Sequence, residues 1–214
     1  MIGSWRRERL ADVWLYLCMD RRADRGDLDG FLDTVLGAGI DQVQLRDKTA
    51  TRDELAAASA VFRAAADRHG ALFILNDDPY LAAEVGADGV HVGQDDLHPS
   101  DARLLVGPDA IVGRSTHSLA EVDGALAEDC DYFAIGPVHA TPTKQGRPAI
   151  GLEPLRHAAA AAQGRPWFVT GAMRLETAPE VLATGARRLV VVRAITDAPD
   201  PARVVSDLAA LLRR

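Results

Sequence analysis

Short apolar runs alternate with longer amphipathic segments along the whole chain. The short runs are rich in β-branched and aromatic residues, which favours strands over helices. They predict eight strands, at residues 13–19, 42–46, 72–76, 89–92, 110–113, 132–135, 167–170 and 189–193. Apolar residues recur at helical spacing between these runs, and they predict helices that include residues 52–68, 118–128, 152–163 and 201–212.

The repeated strand and helix pattern predicts a single domain. Eight β-α units in 214 residues, with no long linker, indicate an α/β fold that closes as a (β/α)8 TIM barrel. A doubly wound open sheet, which would also alternate strands and helices, is the alternative. The domain would span residues 1–214, with residues 1–12 as an N-terminal extension. In such a barrel the functional residues lie at the carboxyl ends of the strands.

Polar residues gather at or just after the ends of nearly all the predicted strands. The segments in question are Gln44-Leu45-Arg46-Asp47-Lys48, Asn76-Asp77-Asp78, Gly93-Gln94-Asp95-Asp96, Arg114-Ser115-Thr116-His117, Thr141-Pro142-Thr143-Lys144, Gly171-Ala172 and Val192-Arg193. Scattered solvated residues would not fall so regularly. The pattern therefore predicts one polar face on the barrel.

Two aspartates in these segments suggest a metal site. Asp77 and Asp96 follow neighbouring predicted strands, and adjacent strands lie about 4.8 Å apart. Two carboxylates at that distance can share a hard divalent cation, and Mg²⁺ commonly takes one or two carboxylates together with substrate phosphate oxygens. The alternative is that both residues are helix N-caps, a position that Asp favours and that Asp78 and Asp95 could also fill.

A second group of residues at these strand ends carries positively charged or hydroxyl side chains. Guanidinium, ammonium and hydroxyl groups beside a metal would neutralise a diphosphate and stabilise it as a leaving group. Alternatively, Arg46 pairs with Asp77, and Lys144 is a solvated loop residue. The glycine after the seventh strand suggests a further phosphate site, because loops after strands 7 and 8 of such barrels often bind phosphate. The members of the cationic grouping are Arg46, Lys48, Ser115, Thr141, Thr143 and Lys144.

Three histidines lie near the same face. His91 falls within the fourth predicted strand, which favours a packed barrel residue over a ligand. His117 could orient Ser115 or face a substrate, and His139 is expected to be solvated. No histidine has a metal-ligand spacing, so a zinc site is not expected. The two cysteines, Cys18 and Cys130, are expected to be separate reduced thiols.

Charge and composition narrow the classes of function. The formal net charge of -7 argues against a nucleic-acid or anionic-membrane surface, while small anionic ligands can still bind to a local cluster of Arg and Lys. Arg6, Arg7 and Arg9 before the first apolar run imitate a signal peptide, but the run is short and no cleavage site follows. No stretch approaches the roughly 20 apolar residues of a membrane span. A cytoplasmic protein is expected.

Taken in order, these segments resemble the thiamine-phosphate synthase family. The resemblance covers about residues 13 to 200, and it includes Ile74-Leu75-Asn76-Asp77, Gly89-Val90-His91-Val92-Gly93-Gln94-Asp95-Asp96 and Gly136-Pro137 before Thr141. It implies a transferase that joins 4-amino-2-methyl-5-(diphosphooxymethyl)pyrimidine to a thiazole phosphate. The products would be thiamine phosphate and pyrophosphate, formed by a dissociative mechanism that needs Mg²⁺.

The resemblance also implies a role for each matching residue. Asp77 and Asp96 would ligate Mg²⁺, and Arg46, Lys48, Ser115 and Lys144 would be catalytic. The residues implied to bind the pyrimidine diphosphate are Gln44, Leu45, Arg46, Asp47, Lys48, Asn76, Ser115 and Lys144. Those implied to bind the thiazole phosphate are Thr141, Pro142, Thr143, Gly171, Val192 and Arg193. The partners would be small phosphorylated substrates, and the family resemblance suggests a second copy in a homodimer.

Departures from the family pattern concentrate at the thiazole-phosphate end. Gly171-Ala172 stands where the family usually has Gly-Gly, and Met173 replaces a branched residue. Arg188 replaces a common glycine, and Arg193 replaces a serine or threonine. Arg193 could point inward and bind the phosphate, or outward and pair with a carboxylate such as Asp197.

Two other functions are possible on the same fold. A related thiazole tautomerase would be an isomerase, which would not need the two aspartates and the Arg46 and Lys48 pair. A non-catalytic sensor of a phosphorylated ligand would not need a complete leaving-group site.

Overall fold

The computed structural model describes residues 3–141 and 148–213. Eight parallel strands follow one another around a closed barrel in chain order, and β1 pairs with β8 to complete the circle. The predicted (β/α)8 barrel is confirmed, and the open-sheet alternative is wrong. The strands are β1 (Leu15–Met19), β2 (Gln42–Leu45), β3 (Leu72–Asn76), β4 (Gly89–Val92), β5 (Ile111–Thr116), β6 (Tyr132–Ile135), β7 (Trp167–Val169) and β8 (Leu189–Val191).

Among the described residues a helix follows each strand, and two further helices add to this pattern. One of these precedes β1, and the other is a single short turn directly after β8. The helices are α1 (Gly3–Ala11), α2 (Leu28–Ala38), α3 (Arg52–His69), α4 (Pro79–Glu84), α5 (Pro99–Val106), α6 (Leu119–Ala127), α7 (Glu153–Ala161), α8 (Ala178–Leu182), α9 (Arg193–Thr196) and α10 (Pro201–Leu212). Among the described residues, no helix combines the length and the apolar character needed to cross a membrane.

Side-chain alternation along the strands divides the apolar residues into two cores. In β1, Leu15 and Leu17 point outward into the large core between strands and helices, while Tyr16 and Cys18 point into the barrel. Inside the barrel, the rings of Tyr16, Tyr132 and Phe168 meet edge to face with centroids 5.3–6.1 Å apart. These rings fill the lower interior, so any cavity must lie above them.

Helix α1 closes the lower end of the barrel. Its Leu10 belongs to the interior core, and its arginines reach three aspartates that directly precede β2, β4 and β6. These ion pairs are Arg9–Asp41 at 3.8 Å, Arg6–Asp88 at 3.1 Å and Arg7–Asp131 at 2.7 Å. The basic residues that imitate a signal peptide thus form a fixed helix in this structure.

Several strand ends differ from the prediction. β1 begins at Leu15 instead of residue 13, and β2 and β7 end one residue early. β5 extends to Thr116, because Ser115 and Thr116 pair with Ala134 and Ile135 of β6. β8 ends at Val191, so Arg193 begins α9 instead of ending a strand.

Candidate active site

A cavity of about 280 Å³ opens at the carboxyl ends of the strands, above the aromatic interior. Among the described residues its wall contains three arginines and no carboxylate. The cavity is close to the lower end of the usual range for ligand sites, roughly 300 Å³. Its wall is formed by Tyr16, Cys18, Gln44, Arg46, Asn76, His91, Ser115, Ala134, Thr141, Thr170, Gly171, Ala172, Met173, Arg174, Val190, Val192, Arg193 and Ala194.

The two predicted metal ligands lie next to each other at the mouth. Lys48 Nζ donates to the Asp77 carboxylate, and Asp96 accepts from the Gly93 backbone N–H at 2.7 Å. Burial raises the pKa of Asp77 and so does the adjacent Asp96, while Lys48 opposes the shift. A carboxylate whose ionisation is disfavoured by a neighbouring carboxylate gains from a cation that the two can share.

The N-cap alternative for this pair is wrong. Asp78 caps α4 by accepting from Leu81 N at 2.9 Å, and α5 is capped by His98 instead of Asp95 or Asp96. Asp77 has a left-handed backbone, with φ at 64°, and its N–H donates to His91 O at 2.8 Å. Asp tolerates this conformation better than most residues, and here it turns the carboxylate toward the mouth.

The donor set at the mouth fits Mg²⁺ better than zinc. Within residues 3–141 and 148–213, no group of three or more His, Cys, Asp or Glu is arranged so that it could hold a metal ion. A site with two carboxylates and solvent access is the kind that Mg²⁺ occupies, since it keeps several water or substrate ligands. Structural zinc sites, by contrast, use four protein ligands.

The residues predicted around the pyrimidine diphosphate divide into two groups. The side chains of Gln44, Arg46 and Asn76 line the cavity. Leu45 is 1% exposed and packs in the outer core. Asp47 pairs with Arg21 at 3.3 Å, and hydrogen bonds from Thr49 and the charge of Arg21 lower its pKa although burial alone would raise it. The structure therefore does not bring the Leu45 and Asp47 side chains to the cavity.

Arg46 has no side-chain partner within residues 3–141 and 148–213. Asp77, the partner considered for it, pairs with Lys48 instead. An unpaired guanidinium in a cavity wall without carboxylates is available to an anionic ligand.

Ser115 belongs to a chain of buried hydrogen bonds inside the barrel. His91 Nε2 lies 2.9 Å from Ser115 Oγ, and His91 Nδ1 lies 3.0 Å from the Tyr132 hydroxyl. The His91 ring stacks on Tyr132 at 5.5 Å, so it is a packed barrel residue that also holds the Ser115 hydroxyl. This packing agrees with the sequence analysis, which favoured a packed barrel residue over a ligand at His91.

The chain of hydrogen bonds continues to Gln44. The Tyr132 hydroxyl lies 3.1 Å from that of Tyr16, to which Gln44 Nε2 donates at 2.7 Å. Burial raises the pKa of both phenols, which keeps them protonated and able to donate. Cys18 Sγ donates to Gln44 Oε1 at 2.9 Å, so the orientation of the Gln44 amide is set from both sides.

The loops after β6, β7 and β8 form the opposite side of the cavity. Thr141, Gly171, Val192 and Arg193 line it, whereas Pro142, Thr143 and Lys144 lie outside the described residues. A Cβ on Gly171 would lie 2.4 Å from Val138 N, so close packing of two loops requires glycine there. Close packing therefore explains the glycine at position 171 in addition to its predicted role in phosphate binding.

The residues that depart from the family pattern are spread over both ends of the barrel. Ala172 has a left-handed φ of 51°, which explains a preference for glycine at this position. Met173 is 3% exposed and packs in the outer core. Arg188 lies at the opposite end of the barrel, where it donates to Ala11 O at 2.9 Å and covers the Trp14 ring. Its expected place at the thiazole-phosphate end is wrong, because it precedes β8 instead of following it.

Arg193 faces the cavity and makes no ion pair with Asp197, whose carboxylate instead accepts from Thr196 at 3.2 Å. The outward pairing is therefore not the arrangement in this structure. His117 contacts the Gly136 carbonyl, and His139 pairs with Glu180 at 3.1 Å instead of standing in solvent. Neither cysteine forms a disulfide, as predicted, and both are buried.

Sequence reasoning missed two kinds of cavity residue. Arg174 lines the wall just beyond β7, and its position after a strand end is a signal that could have found it. Tyr16 lines the floor of the cavity and Tyr132 supports it from below, but both lie in apolar runs, where the sequence does not show which residues point inward.

Comparison with known proteins assigns the family. A family model described as thiamine monophosphate synthase matches residues 15–195. Thiamine-phosphate synthase from Acidothermus cellulolyticus is 52% identical over 204 residues, which cover 95% of this chain and 96% of that protein. The corresponding enzyme from Thermobifida fusca is 53% identical over 205 residues, covering 94% and 93%.

A solved structure gives the same result. Thiamine phosphate pyrophosphorylase from Pyrococcus furiosus superposes with a TM-score of 0.84 at 29% identity, and the match covers 97% of each chain. The predicted fold and the predicted transferase activity in thiamine biosynthesis are confirmed, and neither the isomerase nor the sensor is favoured. The chain belongs to the thiamine monophosphate synthase family.

Proposed function

We propose that this cavity joins 4-amino-2-methyl-5-(diphosphooxymethyl)pyrimidine to a thiazole phosphate by a dissociative reaction. The bond between the pyrimidine methylene carbon and the diphosphate oxygen breaks first, and its electron pair leaves with pyrophosphate. The thiazole nitrogen lone pair then attacks the methylene carbon, giving thiamine phosphate. The observation that carries the proposal is the acidic pair with Lys48 at one side of a cavity whose wall, among the described residues, contains three arginines and no carboxylate.

The leaving diphosphate is placed beside Asp77 and Asp96. These two carboxylates would hold Mg²⁺, which when bound neutralises charge on the leaving group. Lys48, released from Asp77, and Arg46 would donate to diphosphate oxygens. Lys144 is proposed for the same group by the family resemblance alone.

The pyrimidine is placed on the polar floor of the cavity. The Gln44 amide and the Asn76 amide can each donate to and accept from an aminopyrimidine edge. The Ser115 hydroxyl, held by His91 at 2.9 Å, is directed at the same region. Because Tyr16, Tyr132 and His91 fix these groups in advance, little reorganisation is needed when the substrate binds.

The thiazole phosphate is placed at the β7 and β8 side. Arg193 and the backbone at Gly171 and Val192 line that side, with Thr141 close by, and Pro142 and Thr143 complete it by resemblance. This separation puts the two substrates at opposite walls of one cavity. Positioning them in one cavity, away from bulk water, would supply much of the rate.

The decisive test is incubation of the purified protein with both substrates and Mg²⁺. Mass spectrometry should detect thiamine phosphate and pyrophosphate in equal amounts, and omission of any one component should abolish both. Product formation undiminished in excess EDTA would contradict the role of the metal. A homodimer also remains part of the proposal, and light scattering on the purified protein would give its mass.

A further inference from the structure

Arg174 lines the cavity, and the family resemblance gives it no role. It lies three residues beyond Gly171 in the loop after β7, and it lines the same wall as Arg193 after β8. Strands β7 and β8 are hydrogen-bonded neighbours. The two arginines therefore flank the part of the cavity where the thiazole phosphate is placed.

We propose that Arg174 is a specificity residue, and that with Arg193 it makes the enzyme select a phosphorylated thiazole over the corresponding alcohol. This inference rests on the proposed function. Its ligand is the phosphate monoester of the second substrate, and not the diphosphate of the first, because the acidic pair and Lys48 lie across the cavity on the β3 and β4 side.

Little competes for the two guanidinium groups. The Arg193 side chain has no partner within residues 3–141 and 148–213. Arg174 contacts Glu176 at 3.4 Å, and both side chains are more than half exposed, at 59% and 73%. Exposed ion pairs of this kind are weak and are readily exchanged for a multiply charged phosphate.

In the loop after β7, the side chain of Arg174 is the group that can reach the ligand, because its backbone N–H is already used within the turn. The Arg174 N–H donates to Thr177 Oγ1 at 3.2 Å, and that hydroxyl donates to Ala172 O at 3.0 Å. Met173 is anchored in the outer core. The turn is therefore fixed internally, and its backbone N–H at Arg174 is already used.

The test compares wild type, Arg174→Met, Arg174→Lys and the control Arg203→Met on two acceptors. Arg203 is a matched control because it is 73% exposed, pairs with one acidic neighbour, Asp207, and lies on α10. The acceptors are the thiazole phosphate and its unphosphorylated alcohol, each with saturating pyrimidine diphosphate and Mg²⁺.

Arg174→Met should lower kcat/KM for the phosphate about tenfold or more, the size expected for one charge-assisted hydrogen bond. The kcat/KM for the alcohol and the KM for the pyrimidine diphosphate should stay within about twofold. Arg174→Lys should recover part of the loss, since it restores charge without the paired geometry of guanidinium. Arg203→Met should behave as wild type.

Several outcomes would overturn the inference. An equal fall for both acceptors would assign Arg174 a general role, and an increase in the KM of the pyrimidine diphosphate alone would assign it to the leaving group. Calorimetry of thiazole phosphate binding, without turnover, separates this inference from the proposed reaction. If wild type binds the ligand but forms no product, the proposed reaction fails, whereas the Arg174 inference fails if Arg174→Met binds equally well.

Discussion

The base and the mouth of the barrel use aspartate and arginine in opposite ways. At the base, Asp88 accepts from Arg6, Arg63 and the Phe73 backbone N–H, all within 3.1 Å, and its side chain is 2% exposed. At the mouth, Asp77 pairs with Lys48 but also faces another carboxylate, and the side chains of Arg46 and Arg193 have no partner within residues 3–141 and 148–213. Satisfied charges stabilise the fold, whereas charges left unpaired in a cavity are available to ligands.

The largest expected effect on stability is at the base. Asp88→Asn should lower the free energy of unfolding by about 3–5 kcal/mol, because it leaves two arginines beside a neutral group in a buried position. Urea denaturation would measure the loss. The matched control is Glu84→Gln, which removes one exposed pair with Arg52 and should cost less than about 1 kcal/mol.

A fall in kcat for Asp88→Asn, measured on folded protein at low temperature, would weaken the comparison. It would mean that the base contributes to catalysis as well as to stability.

At the mouth the expected effect is on catalysis. Asp77→Asn and Asp96→Asn should each lower kcat by about 10²-fold or more, since each removes charge that holds Mg²⁺ on the leaving diphosphate. Asp78→Asn is the control, because Asp78 caps α4 and carries no proposed catalytic role. Near-normal activity of both variants at limiting Mg²⁺ would contradict the metal assignment.

Asp77→Asn should make the protein more stable at neutral pH, whereas Asp88→Asn at the base should make it less stable. A raised folded-state pKa means that the folded protein binds the Asp77 proton more tightly than the unfolded chain does. The stability that this proton gives is present at low pH and is lost as the pH rises through the raised pKa. In metal-free buffer at neutral pH, Asp77→Asn should therefore unfold at a higher temperature than wild type, and the gain should disappear in acid.

A smaller effect is expected for Arg193. Arg193→Ser restores the residue type usual in the family, and it should raise the KM for the thiazole phosphate about tenfold, given roughly 1.5–3 kcal/mol for a charged hydrogen bond. The KM for the pyrimidine diphosphate should hardly change. If steady-state kinetics show an unchanged KM for the thiazole phosphate, the Arg193 guanidinium does not bind that phosphate.

The smallest expected effect is at Ala172. Ala172→Gly should raise the free energy of unfolding by roughly 0.5 kcal/mol, since relief of the left-handed backbone slightly exceeds the added chain entropy. The same change at Ala183, where φ is -63°, should be destabilising. Thermal melts of both variants test this difference in sign, and equal signs would contradict it.

The mouth was more predictable from the sequence than the base. The pairing of Asp77 with Asp96 follows from strand order alone, because parallel strands bring their carboxyl ends to one face. Arg174 also follows a strand end, but it was missed because strand order alone does not separate a solvated loop residue from one that lines a cavity. The extension of β5 was missed because Arg114 resembles a loop residue, yet it is buried against Glu128 at 3.0 Å.

The ion pairs at the base could not be predicted in the same way. Arg7 and Asp131 are 124 residues apart in the chain, and they meet only because the barrel closes above α1. Neither residue carries a local signal of its partner. Charge pairs of this kind depend on tertiary closure, which composition and periodicity do not encode.

The position of α1 has a consequence for synthesis on the ribosome. This helix precedes all eight strands in the chain, but its partners Asp88 and Asp131 lie 82 and 124 residues after the arginines that bind them. At about 5–20 residues per second, the last of them is translated roughly 6–25 s after the helix. Until then Leu10 and the arginines have no complete binding surface, so this helix completes its docking only after the strands up to β5 have been translated.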